Sequence, residues 1–276
     1  MLFGVAGVPH SSKGRSTVDG VKAIKELGLD AMEVQFVRGV KMGVEKAKEV
    51  GRVAKKLGVV LTVHAPYYIN LNSPEKEKFE ASVKRLYDSA RIGSFFDAKG
   101  VVFHPGYYLR SSKQGAYKRV KVGIEKTLEM LEKDGIEAKL RPETTGKPTQ
   151  FGELEELLSL SKEFLERGYD IKPCVDFAHI HARYRRYNSY EEFVEILEKI
   201  EESLGREGIE RMHIHLSGID YGMKGEKEHL NLEESDMRWK ELLKALKDFR
   251  ADGILICESP NLEEDAKMLK DAWNSI

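Results

Sequence analysis

A chain of 276 residues with 41% hydrophobic content is long enough to bury a sizeable core, which excludes a disordered polypeptide. It contains no run of about 18 or more apolar residues, which excludes a spanning helix of that kind. With 45 basic and 46 acidic residues the net charge is −1, so a phosphate-bearing partner has to be held by a local basic patch, not by the field of the whole chain.

Short apolar runs of strand character alternate with helix-period runs. In chain order the strands read LFGVAGV (2–8), AMEVQFV (31–37), VVLTVHAP (59–66), GVVFHPG (100–106), AKLRPE (138–143), IKPCVDFA (171–178), RMHIHLSG (211–218) and GILICES (253–259). Between them, segments such as VEKAKEVGRVAKKLG and YEEFVEILEKIEESLG carry apolar residues at spacings of three and four, as a helix laid on a sheet requires. Gly58 follows one such segment directly before a strand, where a left-handed backbone ends the helix. The N-terminal MLFGVAGVPHSSKGR lacks the basic start and long apolar stretch of a signal peptide and reads as the first strand. Cys174 and Cys257 sit inside apolar runs as small core residues, which fits a reduced, cytoplasmic setting. No linker or low-complexity tract divides the chain. Eight strands alternating with helices close most simply into a (β/α)₈ barrel, one TIM-barrel domain over residues 1–276. An open doubly wound sheet is the alternative, but no GxGxxG follows the first strand.

A barrel works at the C-terminal ends of its strands. The third strand ends in His64, the fourth in His104 and the fifth in Glu143. The sixth brings Asp176 and His179, the seventh His215 and the eighth Glu258. Carboxylates gathered on one rim repel unless cations neutralise them, and a mixed imidazole and carboxylate set suits zinc, manganese or iron. His213 points into the barrel with His215 but lies deeper, as a packing or supporting residue; His181 lies past its strand end, in a loop. His10 follows the first strand and has no assigned role.

The ordered set HAPYYINL (64–71), VVFHPG (101–106), PETTG (142–146), DFAH (176–179), HIHLSG (213–218) and CES (257–259) resembles the endonuclease IV family over nearly the whole chain. That resemblance implies an apurinic/apyrimidinic endonuclease on a xylose-isomerase-like TIM barrel with a three-metal zinc site. It implies that His64, His104 and Glu143 hold one metal, with Glu143 bridging to a second held by Asp176, His215 and Glu258. His179 and His229 hold the third, and Tyr67 stands beside the site. One position departs from the family: where an Asp two residues before the last His is usual, GEKEH has Lys227, so either Glu226 or Glu228 substitutes, Glu226 by preference, or the third site is empty or differently built. Arg141 is a second departure; by alternation it shares a face with Glu143, to contact a substrate phosphate or neutralise the carboxylates.

The rim loops HSSKGR (10–15), RGVKMG (38–43), YYLRSSKQGAYKR (107–119) and HARYRRY (181–187) are rich in base and tyrosine, a composition suited to phosphates and exposed bases. Arg183 and Arg185, beside Tyr184 and Tyr187, are candidate substrate contacts. The implied activity is hydrolysis of the DNA phosphodiester 5′ to an abasic site, leaving a 3′-hydroxyl. It uses two or three zinc ions per chain (manganese being the alternative), with Glu143 and Glu258 as catalytic groups in a monomer that needs no membrane. The second reading is a single-metal sugar isomerase or epimerase, which needs only the set Glu143, Asp176, His215 and Glu258. A barrel with a degenerate site that binds nucleic acid or stores metal is a third.

Overall fold

The computed structural model describes residues 1–276. All eight expected strands form, each shorter than its apolar run: β1 Leu2–Ala6, β2 Ala31–Gln35, β3 Val60–His64, β4 Val101–Phe103, β5 Leu140–Pro142, β6 Cys174–Asp176, β7 Met212–Leu216 and β8 Gly253–Cys257. They run parallel in the spatial order β5-β4-β3-β2-β1-β8-β7-β6. The remaining seam, between β5 and β6, is closed by one parallel bridge from Glu143 to Cys174, with Thr144 N donating to Cys174 O at 3.0 Å. The barrel therefore closes at the carboxylate that the sequence places at the centre of its site.

Ten helices follow: α1 Thr17–Glu26, α2 Val44–Leu57, α3 Lys76–Ser94, α4 Lys113–Lys133, α5 Leu154–Leu165, α6 Phe177–Tyr184, α7 Tyr190–Leu204, α8 Arg206–Glu210, α9 Trp239–Asp248 and α10 Glu263–Ser275. Their ends follow from local chemistry. Before α1, the Ser16 hydroxyl accepts from Asp19 N at 3.2 Å while the Asp19 carboxylate accepts from Ser16 N at 3.2 Å, a reciprocal cap. After α2, Gly58 takes φ 69° and ends the helix as its position predicts. One apolar cluster extends from Phe3 to Leu269 between strands and helices. No helix is long and apolar enough to cross a membrane.

Two segments differ from the sequence expectation, and both shape the rim. The apolar run through Phe177 and Ala178 is not strand: β6 stops at Asp176, whose carboxylate accepts from His179 N at 2.7 Å and starts α6 without an intervening loop. His181 is thus helical and buried, not in a loop. Residues Gly218–Gly222 and Gly225–Leu230 form an antiparallel hairpin that apolar patterning does not announce, since GEKEHL is almost wholly polar.

Candidate metal centre

Glu143 lies at the centre, fully buried. Its Oε2 is 3.2 Å from His64 Nε2 and 2.9 Å from His104 Nε2; its Oε1 is 3.1 Å from His215 Nδ1 and 3.4 Å from His179 Nδ1. Each oxygen therefore faces a different pair of imidazoles, the disposition a carboxylate needs to bridge two cations. Besides a deeper group of Cys174, His213 and His215, side chains from the ends of β3, β4, β5, β6, β7 and β8, from α6 and from the hairpin converge there, and three overlapping donor groups result. They are His64, His104 and Glu143; Glu143, Asp176, His215 and Glu258; and Asp176, His179 and His229, each with donor atoms within 4.8 Å of one another.

The strand-to-helix turn at Asp176 explains how one short motif serves two groups. Asp176 Oδ1 caps α6, while Oδ2 is buried without a hydrogen-bond partner. One helical turn on, His179 comes back over the same rim, its Nε2 3.1 Å from His229 Nε2. His181, about 200° further round the helix, faces away and meets Arg186 O at 3.0 Å and Asp236 Oδ1 at 3.2 Å.

Glu226 enters from the hairpin, with Oε2 3.6 Å from His179 Nε2, whereas Glu228 is exposed and points away. The hairpin can approach because Gly146 has no side chain: a Cβ there would lie 2.6 Å from Glu226 Cβ and 3.1 Å from His179 Cδ2. Opposite it, Gly225 takes φ +85°, and Glu226 N donates to Gly146 O at 3.0 Å.

The electrostatics describe a site prepared for cations. Burial raises the carboxyl of Glu143, but His104 and His215 outweigh it and hold the group well below its ordinary value. Glu258 behaves likewise: burial works against ionisation, yet His215 brings the group down to about 2. Asp176 goes the other way, raised by burial and by the charges of Glu143 and Glu258. A carboxylate that is buried, repelled by its neighbours and left with an orphaned oxygen is one that a bound cation would satisfy. Imidazole nitrogen with carboxylate oxygen, three or four donors to a group, suits a zinc-like divalent ion, so the residues present fit the metals that the sequence implies.

Above the donors lies a cavity of about 520 Å³ lined by His64, Tyr67, His104, Glu226, His229 and Glu258 among others. Tyr67 is 55% exposed, its ring centre 5.9 Å from that of His64. Gln35 and Val37 line both this cavity and a second one of about 560 Å³, whose wall carries Arg15, Arg38, Lys41 and Lys46. Arg185 is exposed beside Met223 and has no carboxylate partner.

Two substrate assignments fail on geometry. Arg141 is buried, its guanidinium donating to Asp170 O at 2.8 Å and Asp170 Oδ1 at 3.0 Å. It lines a cavity with Met1, Met212 and Gly253, at the N-terminal ends of the strands and away from the rim. Alternation put it correctly inside the barrel, but a long side chain reaches toward the other end. Arg183 is also buried, its terminal nitrogens donating to Thr145 O, Lys147 O, Gln150 O and Glu153 Oε1, so it ties the β5 loop to α6 instead of facing a phosphate at the rim.

Sequence reasoning missed Glu33, at the middle of β2. It is fully buried beneath the donors, with Oε1 3.2 Å from His215 Nε2 and Oε2 3.2 Å from His213 Nε2. The signal was present: an acid inside the otherwise apolar run AMEVQFV, with only Gln35 as a polar residue on the same face.

Comparison with known proteins agrees with this architecture. The xylose isomerase-like TIM barrel family model matches residues 21–274. An uncharacterized protein of Methanocaldococcus jannaschii is 46% identical, over 100% of this chain and 98% of its own. A probable endonuclease 4 of Aquifex aeolicus is 27% identical over 83% of this chain and 81% of its own. Among solved structures, a D-tagatose 3-epimerase-like protein superposes with TM-score 0.74 at 23% identity, covering 100% of this chain and 96% of that one. Endonuclease IV from Thermus thermophilus superposes with TM-score 0.71 at 22% identity, covering 98% of each chain. At those identities the superpositions establish the fold alone.

Proposed function

Because the chain belongs to the xylose isomerase-like TIM barrel family, we propose that it is a metal-dependent endonuclease that hydrolyses the DNA phosphodiester 5′ to abasic sites and leaves a 3′-hydroxyl. The observation that carries this reading is the donor set itself: three groups linked through Glu143 and Asp176, where a single-ion enzyme needs only one. The probable endonuclease 4 relatives support it, and so does the basic cavity that adjoins the donor cavity through Gln35 and Val37, where a phosphate backbone finds cations on its path.

Divalent ions held by these residues supply Lewis acidity and a nucleophile from water at neutral pH, the usual contribution of a metal cluster to phosphoryl hydrolysis. The chain does the rest. Glu143 and Asp176 fix the spacing of the donor groups, and Glu258, 3.4 Å from His215 Nδ1 and open to the cavity, orients the attacking water. Tyr67 packs against the sugar at the cavity mouth, and Arg185 with the cations of the β1 and β2 loops steadies the backbone. An extruded abasic nucleotide costs less to unstack than a paired one, which supplies selectivity.

A second reading, a single-metal sugar epimerase, draws on the complete set Glu143, Asp176, His215 and Glu258. One experiment separates the two: metal-replete protein is incubated with a duplex carrying one abasic analogue and, separately, with a ketose. Nicking of the damaged strand alone is expected. An intact duplex together with a converted ketose would reverse the assignment.

A further inference from the structure

His64, His215 and His229 each turn one nitrogen toward the donors and the other to a further acceptor, and what that second nitrogen meets sets the tautomer. His64 Nδ1 meets Ala65 O at 2.8 Å and His229 Nδ1 meets Glu258 O at 3.2 Å, both backbone carbonyls that accept an N–H. His215 is different. Its Nδ1 faces Glu143 and Glu258, while its Nε2 meets the Glu33 carboxylate at 3.2 Å to Oε1 and 3.3 Å to Oε2.

Glu33 is fully buried and itself held in place. Thr62 Oγ1 donates to its Oε2 at 3.0 Å, Gln35 Nε2 donates to its Oε1 at 3.2 Å, and His213 Nε2 lies 3.2 Å from Oε2. The pocket for the His213 ring exists because Gly100 lacks a side chain; a Cβ there would stand 2.8 Å from His213 Nδ1. A charge at this depth is costly unless it is paired and hydrogen-bonded, and Thr62, Gln35 and the His215 imidazole meet that need here.

We infer that Glu33 is a positioning residue for the metal centre: it accepts the Nε2 proton of His215, presents Nδ1 to the cation shared with Glu143, Asp176 and Glu258, and lends that ligand negative charge from below. The carboxylate thereby makes His215 a stronger donor than the imidazoles that rest on neutral carbonyls. The inference rests on the metal-centre reading above. It assigns to β2, a strand that supplies no ligand, control over the affinity of one cation.

The test is Glu33→Gln, which keeps the shape of the side chain and removes its charge. Zinc affinity is measured by chelator competition, and the cobalt-substituted protein is followed by its visible absorption. One ion should bind roughly 10- to 100-fold more weakly, the range typical for loss of a partner behind a ligand. Its cobalt bands should shift while those of the other ions do not. A merely structural Glu33 would leave the cobalt bands in place. Should Glu33→Gln fail to fold, Thr62→Val removes one donor to Glu33 and should weaken the same ion several-fold. Wild-type affinities and bands in a folded variant overturn the inference alone. A wild-type protein that binds no zinc overturns the metal-centre reading and this inference with it.

Discussion

Glu226 and His229 stand three residues apart on one hairpin strand yet turn toward the same cavity, because a bulge leaves Lys227 without a cross-strand partner. Asp220 pairs with Glu228 and Tyr221 with Glu226, so the intervening lysine is extra. In a regular strand residues 227 and 229 would share a face; the added residue transfers that relation to 226 and 229. Lys227 swings outward to Asp220, 3.2 Å away, where its charge opposes nothing in the site. A carboxylate and an imidazole thus reach one place by a different spacing from the Asp-x-His that the family resemblance implies.

From this geometry Glu226→Gln should lose one bound ion per chain, and Glu228→Gln, altered on the exposed face, should lose none. Elemental analysis of the two proteins, purified without chelator, makes the comparison. Equal metal content in both would remove Glu226 from the centre.

Gly146 makes a separate demand. In Gly146→Ala the new methyl would meet Glu226 Cβ at 2.6 Å, and the hairpin has no slack on its own side, where a Cβ on Gly225 would stand 2.2 Å from Gly146 O. The hairpin should shift, at about 1–3 kcal/mol in unfolding free energy, a usual cost of overpacking. The ion nearest His229 should weaken while the other groups hold theirs. Denaturant melts and metal content check both parts; wild-type values in both would show that the approach is loose.

Glu143→Gln should abolish most nicking and release metal without unfolding the barrel, since β5 and β6 are joined there by backbone atoms and not by the carboxylate. Circular dichroism with metal analysis and the nicking assay decides it. Full activity in that variant would exclude Glu143 as the bridge.

These variants also mark where the sequence was informative. Strand order and the strand-end donors were legible because apolar runs and helical periods repeat eight times, and because polar groups at strand tips stand out against them. The bulge at Lys227 was not legible: GEKEHL has no apolar alternation from which to set a register. The destinations of Arg141 and Arg183 were hidden for another reason. Alternation gives the face a side chain leaves from but not where a long flexible one ends, and both guanidiniums were claimed by acceptors distant in sequence.

The metal-free chain should show a particular pH dependence. Burial disfavours a charged His64, but the hydrogen bond and charge of Glu143 prevail and push the imidazole up to about 9, from an ordinary 6.5. A raised value means that the folded chain holds the proton more tightly than the unfolded one. The resulting stability is fully present below about pH 6.5 and is lost as pH rises through about 9. His179 and His215 are raised in the same direction. Bound cations require neutral imidazole, so the metal-replete protein should gain over the metal-free one across the same interval. Thermal melts with and without chelator between pH 6 and 9.5 test this (roughly the interval that linkage picks out). A metal-free melting temperature that stays level or climbs there would contradict it.

The basic cavity beside the centre makes the final prediction, because it separates a nucleic acid from a small neutral substrate. Arg15, Arg38 and Lys41 are exposed on its wall and make no ion pair, whereas Lys46 is engaged by Glu49 at 3.0 Å. Cations left unpaired beside a catalytic cavity are available to phosphates, and each phosphate they neutralise releases counterions that added salt drives back. Arg38→Ala with Lys41→Ala should therefore flatten the slope of log affinity against log salt for an abasic duplex by roughly 2, near 0.9 for each phosphate no longer neutralised. Metal content should not change, since neither residue touches a donor. An unaltered slope would mean that the duplex does not cross this cavity, and an altered metal content would mean that these loops shape the centre itself.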